Sequence, residues 1–156
     1  MLTILALPDL AATQRLGAKI AAALQRRDVV TLEGDLGVGK TELARAILRS
    51  AADDAELTVP SPTFTLVETY DTPAGSTIWH FDLYRLAAPE DAWELGLEEA
   101  LVEGISLIEW PENLGHLLPG SRLNIRLEAD APDGQRTATI STHGDWRDRL
   151  STAVLA

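Results

Sequence analysis

Eight consecutive residues, Gly34-Asp35-Leu36-Gly37-Val38-Gly39-Lys40-Thr41, constrain this chain more than any other stretch of it. They fit the pattern G-x-x-x-x-G-K-[ST], in which glycines let the backbone curl until its N–H groups point inward at an anion. The pattern works only between a strand that delivers the chain and a helix whose N-terminal partial positive charge faces that anion. Both flanks are legible. Val29-Val30-Thr31-Leu32 is short, β-branched and apolar, as a buried strand should be. Residues 40–51 set Leu43, Ile47, Leu48 and Ala51 along one side of a helix. The competing reading is a glycine-rich turn that only joins strand to helix. Four fixed positions arise by chance in a chain this long well under about 1% of the time, and the flanks match as well, so the phosphate-binding reading prevails.

Lysine usage adds weight. Lys19 and Lys40 are the only lysines among 13 basic residues. A chain that otherwise uses arginine keeps lysine here because a compact point charge is what the β- and γ-phosphates of a nucleotide need. Asp35, Leu36, Gly37, Val38, Gly39, Lys40, Thr41 and Glu42 are therefore the expected ATP-binding residues, with the Thr41 hydroxyl a ligand for Mg2+. Such a site also needs an acid near the metal, at the end of a strand beside the loop. Asp82 after Ile78-Trp79-His80-Phe81 and Glu109 after Ile105-Ser106-Leu107-Ile108 both qualify, since ligands in open α/β sheets gather at that edge. Each acid alone would read as a cap for the next element. Together with the loop they become the metal candidates, and with Lys40 the catalytic ones; which of the two acids is the main metal ligand stays open.

Other residues near these strands carry weaker signals. Ser61-Pro62-Thr63-Phe64-Thr65 could order around a γ-phosphate, but by itself it is an ordinary turn. His80, alternating with Trp79 and Phe81, reads as a packed strand residue rather than a catalytic base. Trp110 could pack on the loop or serve a partner.

The remaining pattern predicts one α/β domain over residues 1–156: a three-layer P-loop NTPase fold, its central sheet mostly parallel, with additional antiparallel strands. Asp9 caps a helix carrying Leu16, Ile20 and Leu24. Residues 64–70 form a strand and Thr72-Pro73-Ala74-Gly75 a turn. Pro89 opens a short helix with acids in its first turn, and residues 123–128 and 136–141 flank a hairpin turn at Asp133-Gly134. No apolar run approaches the roughly 20 residues of a membrane span. The absence of cysteine excludes disulfides and thiolate chemistry, and no signal-like N-terminus is present, which together fit a cytoplasmic protein. The formal net charge is −11, and between Arg85 and Arg122 there are eight acids and no lysine or arginine. That balance disfavours tight nucleic-acid binding by this chain alone. It fits equally a solvated face and a docking face for a basic protein.

Taken in order and spacing, four segments resemble the TsaE (YjeE-type) family of bacterial tRNA threonylcarbamoyladenosine biosynthesis ATPases. They are the glycine-rich loop, then Ser61-Pro62-Thr63-Phe64-Thr65-Leu66-Val67-Glu68, then His80-Phe81-Asp82-Leu83-Tyr84-Arg85-Leu86, and Ile108-Glu109-Trp110-Pro111-Glu112. Leu95-Gly96-Leu97-Glu98-Glu99 also fits. The resemblance runs from about Leu7 to Pro119. It implies slow ATP hydrolysis that resets a TsaB–TsaD pair, with TsaD transferring the threonylcarbamoyl group to the adenosine beside the anticodon. It further implies that tRNA is met only through that complex, and that the chain is a monomer when alone. Thr41 and Glu109 would hold Mg2+, with Asp82 at or near the metal and serving hydrolysis; Leu7, Pro8 and Asp9 would border the adenine. Val38 departs from the commoner alanine or serine, at a position expected to contribute its N–H. Two other outcomes remain open at this level. One is a small phosphotransferase with Arg85 closing over the phosphates; the other is a non-hydrolysing, nucleotide-dependent adaptor.

Overall fold

The computed structural model describes residues 2–130, 135–151 and 155. Asp133-Gly134, the expected hairpin tip, lies outside the described residues, but the two strands it would join are present and paired. Seven strands form one sheet: β1 (Leu2–Leu7), β2 (Val29–Glu33), β3 (Val67–Asp71), β4 (Thr77–Asp82), β5 (Ile105–Glu109), β6 (Arg122–Asp130) and β7 (Gln135–His143), in spatial order β1-β7-β6-β2-β5-β4-β3. The central strands β6, β2, β5 and β4 run parallel. The flanks are antiparallel: β3 pairs with β4 on one side, and β7 with β6 and then β1 with β7 on the other. A parallel centre with antiparallel strands added on both sides is thus as expected.

Strand patterning decides the layers. β5 is buried along its length and β2 from Val29 to Leu32, as strands covered on both faces must be. On one face Val30, Leu32, Leu107 and Ile125 pack under α1 (Leu10–Ala23) and α2 (Lys40–Ala51). On the other, Val29, Phe81 and Ile108 pack under α3 (Leu97–Glu103) and the 3-10 helices Pro89–Leu95 and Pro111–Leu117. Helix α2 turns Leu43, Ile47 and Leu48 inward, each at most 1% exposed, and such burial contributes about 1.5–3 kcal/mol per side chain. Asp9 caps α1 as read from sequence, its carboxylate accepting from Ala12 N at 2.8 Å. A short α4 (Trp146–Arg149) follows β7. Among the described residues no helix is long and apolar enough to cross a membrane.

Two expectations change. The strand expected over residues 64–70 begins only at Val67, because Leu66 takes a positive φ of 67° and its N–H bonds back to Pro62 O at 2.6 Å. Residues 64–66 thereby close a turn, and Leu66 O receives the Asp82 N–H at 3.0 Å, tying that turn to the end of β4. β1 was not anticipated. Its open face carries Leu2 and Ile4, 68% and 66% exposed, so the polar–apolar alternation that marks a strand is blurred.

Candidate functional site

The loop leaves the end of β2 and enters α2 through backbone that only glycine tolerates. Gly34 has φ 144°, and a Cβ there would stand 2.6 Å from Leu127 O. Gly39, at φ 113°, would press a Cβ to 3.1 Å from the Arg136 guanidinium. Val38 differs from expectation in detail. Its side chain is 6% exposed and joins the core, and its N–H is donated to Asp35 O at 3.2 Å, within the loop itself. The valine therefore anchors the loop from beneath.

Lys40 folds over the loop it follows. Its Nζ donates to Gly34 O and, at 2.9 Å, to Asp35 O, and it sits 4.0 Å from the centre of the Trp110 ring. Burial pushes its ammonium below the ordinary lysine value, while the carboxylates of Glu109, Glu112, Asp82 and Asp35 pull the other way. Trp110 itself is held at a positive φ of 58°, a conformation that costs about 1–3 kcal/mol in a non-glycine residue. Its ring faces Lys40, with Tyr84 packed against it at 4.9 Å.

The two acids end neighbouring parallel strands in register, Asp82 opposite Glu109. They are 4% and 2% exposed. Thr41 Oγ1 donates to Glu109 Oε1 at 3.0 Å, and His80 Nε2 lies 2.6 Å from Glu109 Oε2. Asp82 is held differently: Thr63 Oγ1 donates to Oδ2 at 2.9 Å and Tyr84 N to Oδ1 at 3.1 Å. Ser61 Oγ lies 2.8 Å from Thr63 Oγ1, so the segment read as an ordinary turn is wired to the second acid. Loop, acids and turn enclose a cleft of about 260 Å³, which Leu36, Glu42 and Arg136 also line. A larger groove between α1 and α2, about 450 Å³, holds neither the loop glycines nor Asp82 and Glu109; the candidate residues gather at the smaller one.

The donor set fits a hard cation that keeps phosphate and water as ligands: one hydroxyl and one carboxylate at a helix N-terminus. Among the described residues no three His, Cys, Asp or Glu side chains converge as a metal cage.

Arg136 is a cleft residue that the sequence did not reveal. It is the second residue of β7, in the part of the chain beyond Pro119 where motif likeness fades, and a single arginine in a strand has no local signature. Its opposite number in β1 is Leu7, so Leu7, Pro8 and Asp9 leave the sheet at the same edge as the loop. Asp9 already spends its carboxylate on capping α1. Arg85, the candidate for closing over phosphates, instead stacks 4.8 Å from the ring of Phe64, which is 82% exposed.

A central parallel strand feeding such a loop into a helix, with an acid from the next strand touching the helix's first hydroxyl, defines a P-loop NTPase. The family model described as threonylcarbamoyl adenosine biosynthesis protein TsaE matches residues 7–138. The chain belongs to the TsaE family. Among its relatives, the tRNA threonylcarbamoyladenosine biosynthesis protein TsaE of Rickettsia bellii is 46% identical over 129 residues, covering 83% of this chain and 88% of that protein. The protein of the same name from Haemophilus influenzae is 39% identical over 128 residues, 78% and 79% of the two chains. The crystal structure of Bacillus subtilis YdiB superposes with a TM-score of 0.76 at 27% identity, covering 99% of this chain and 94% of that one.

Proposed function

We propose that this chain binds ATP with Mg2+ in the cleft beside residues 34–41 and hydrolyses it, and that this turnover serves threonylcarbamoylation of the tRNA adenosine next to the anticodon. TsaB- and TsaD-type proteins are the partners, and the tRNA is met through them. The observation that carries the reading is the 3.0 Å contact between Thr41 and Glu109, which brings a hydroxyl and a carboxylate together at the N-terminus of α2.

From that contact the roles follow. The loop amides and the N-terminus of α2 take the phosphates, and Lys40 turns from its carbonyl partners to the β- and γ-oxygens. Thr41 and Glu109 would hold the metal, which would supply positive charge to offset that of the phosphates. Asp82 orients the attacking water and takes its proton, its own carboxylate steadied by Thr63 and the Tyr84 N–H. The Arg136 guanidinium, lying over Gly39, supplies a second cation at the phosphates. The charge of −11 agrees with leaving the RNA to partners.

A tRNA-modification assay run under multiple turnover, with and without this protein, tests the proposal. Sustained modification that requires the chain and consumes ATP is expected. Modification indifferent to the chain, together with a chain that ignores titrated Mg·ATP, would overturn it.

A further inference from the structure

His80 is completely buried in β4, and its only described polar partner is the Glu109 carboxylate on the adjacent strand β5, 2.6 Å away. The acceptor is a carboxylate, so Nε2 carries the hydrogen. The other ring nitrogen, Nδ1, is buried and has no hydrogen bond. A strand core built only for stability would place an apolar residue here and avoid an unpartnered nitrogen. The geometry gives the imidazole a different use. Glu109 is gripped from two sides, by Thr41 at Oε1 and by His80 at Oε2.

We infer that His80 is a positioning residue for Mg2+-linked nucleotide binding: it holds the Glu109 carboxylate in the orientation that meets Thr41 at the start of α2. The inference rests on the Mg·ATP reading of the cleft. His80 does not act as a base, because Nε2 is engaged with Glu109 and the residue does not line the cleft. Its effect passes through Glu109, as the partners of metal-ligating carboxylates act elsewhere, where losing one lowers metal affinity or activity about 10–100-fold.

The test is calorimetric titration of ADP into the intact chain, once with Mg2+ and once with EDTA, for wild type, His80→Leu, His80→Asn and His80→Gln, with a thermal melt of each. Glutamine can place an N–H near the position of Nε2; asparagine reaches only about as far as Nδ1. Wild type is expected to bind ADP more tightly with Mg2+. His80→Leu and His80→Asn should lose about 10–100-fold of that Mg2+-linked gain, with affinity in EDTA within about twofold of wild type. His80→Gln should recover most of the gain. If His80→Leu fails to fold, the contrast between Gln and Asn decides.

A melt lowered in every variant with the Mg2+-linked gain intact would make His80 a packing residue and overturn the inference. A wild type with no Mg2+-linked gain would instead overturn the Mg·ATP reading beneath it, and the inference with it.

Discussion

The Thr41 hydroxyl donates to the Glu109 carboxylate at 3.0 Å, joining the first turn of α2 to the end of β5 across 68 residues of sequence. Parallel register sets the contact. β2 and β5 run side by side with Leu32 opposite Glu109, so the strand that launches the loop and the strand that ends in the acid finish at the same level. The helix then needs a single turn to bring its hydroxyl to the carboxylate. A hydroxyl and a carboxylate prearranged in this way would need little movement to meet a bound cation, as preorganised polar groups do in rigid sites.

Glu109→Gln separates charge from shape at this contact. The amide still accepts from Thr41 but lacks the negative charge a divalent cation requires. Mg2+-dependent phosphate release is expected to fall about 10²-fold or more, while ADP affinity in EDTA stays close to wild type. Phosphate release and a thermal melt measured on the same sample check this. A collapsed melt with normal activity in the remaining folded fraction would make Glu109 structural.

Lys40→Ala removes the ammonium that now bridges the Gly34 and Asp35 carbonyls. Charge-assisted bonds of this kind contribute about 1.5–3 kcal/mol each, so Mg·ATP affinity should drop by a factor of about 10–100 or become undetectable by calorimetry. Lys40→Arg is not expected to rescue it, because a planar fork does not fit where a point charge on a short reach is required. Unchanged affinity in Lys40→Ala would remove the phosphate role from this residue.

Arg149→Met tests the far end of the sheet. Arg149 makes two bonds to the buried Asp28 carboxylate, at 2.5 and 2.8 Å, and a third to Ala23 O at 2.8 Å. Removing it leaves the buried Asp28 carboxylate without its cation and, among the described residues, held only by the Gln25 N–H at 2.6 Å, a loss expected to cost about 2–3 kcal/mol in urea denaturation, somewhat below a fully buried pair because Arg149 is partly exposed. ADP affinity should not change, since Asp28 precedes β2 whereas the loop follows it.

Much of this site was legible because its strongest elements are local. The loop needs eight consecutive residues, the capping of α1 needs Asp9 and Ala12, and the strand ends at Asp82 and Glu109 follow from runs of apolar residues. What the sequence hid depends on side chains that meet across strands. His80 alternates with aromatic neighbours and reads as packing; its bond to a carboxylate 29 residues away appears only when β4 and β5 are set in register. Thr63 looks like any turn hydroxyl until Leu66, folded back onto Pro62, brings the turn to the end of β4. β1 escaped because Leu2 and Ile4 put apolar residues on an open face, and Arg136 because nothing beside it in sequence marks it.

Arg136→Ala addresses that last residue directly. The guanidinium lies over Gly39 and lines the cleft, yet the strand that bears it pairs normally with β1 and β6. Arg136 is half-buried, so its loss should lower stability by about 1 kcal/mol, near the centre of single-substitution effects. Mg·ATP affinity should weaken about 10-fold, the equivalent of one charge-assisted contact of about 1.5 kcal/mol. Equal ATP affinities in the variant and wild type would show that the guanidinium does not meet the phosphates.

Thr63→Val asks whether the turn serves catalysis. Valine matches threonine in shape but cannot donate to Asp82 Oδ2, which leaves that carboxylate held by the Tyr84 N–H alone. If Asp82 orients the attacking water, freeing it should slow ATP hydrolysis about 10-fold while Mg·ADP affinity stays within about twofold, because the Thr41–Glu109 pair is untouched. The two measurements must diverge for the role to stand. Should hydrolysis and affinity fall together, the Thr63 bond shapes the cleft as a whole; should neither change, Asp82 keeps its orientation without the turn. In either case the hydroxyl of Thr63 has no separate part in the hydrolytic step.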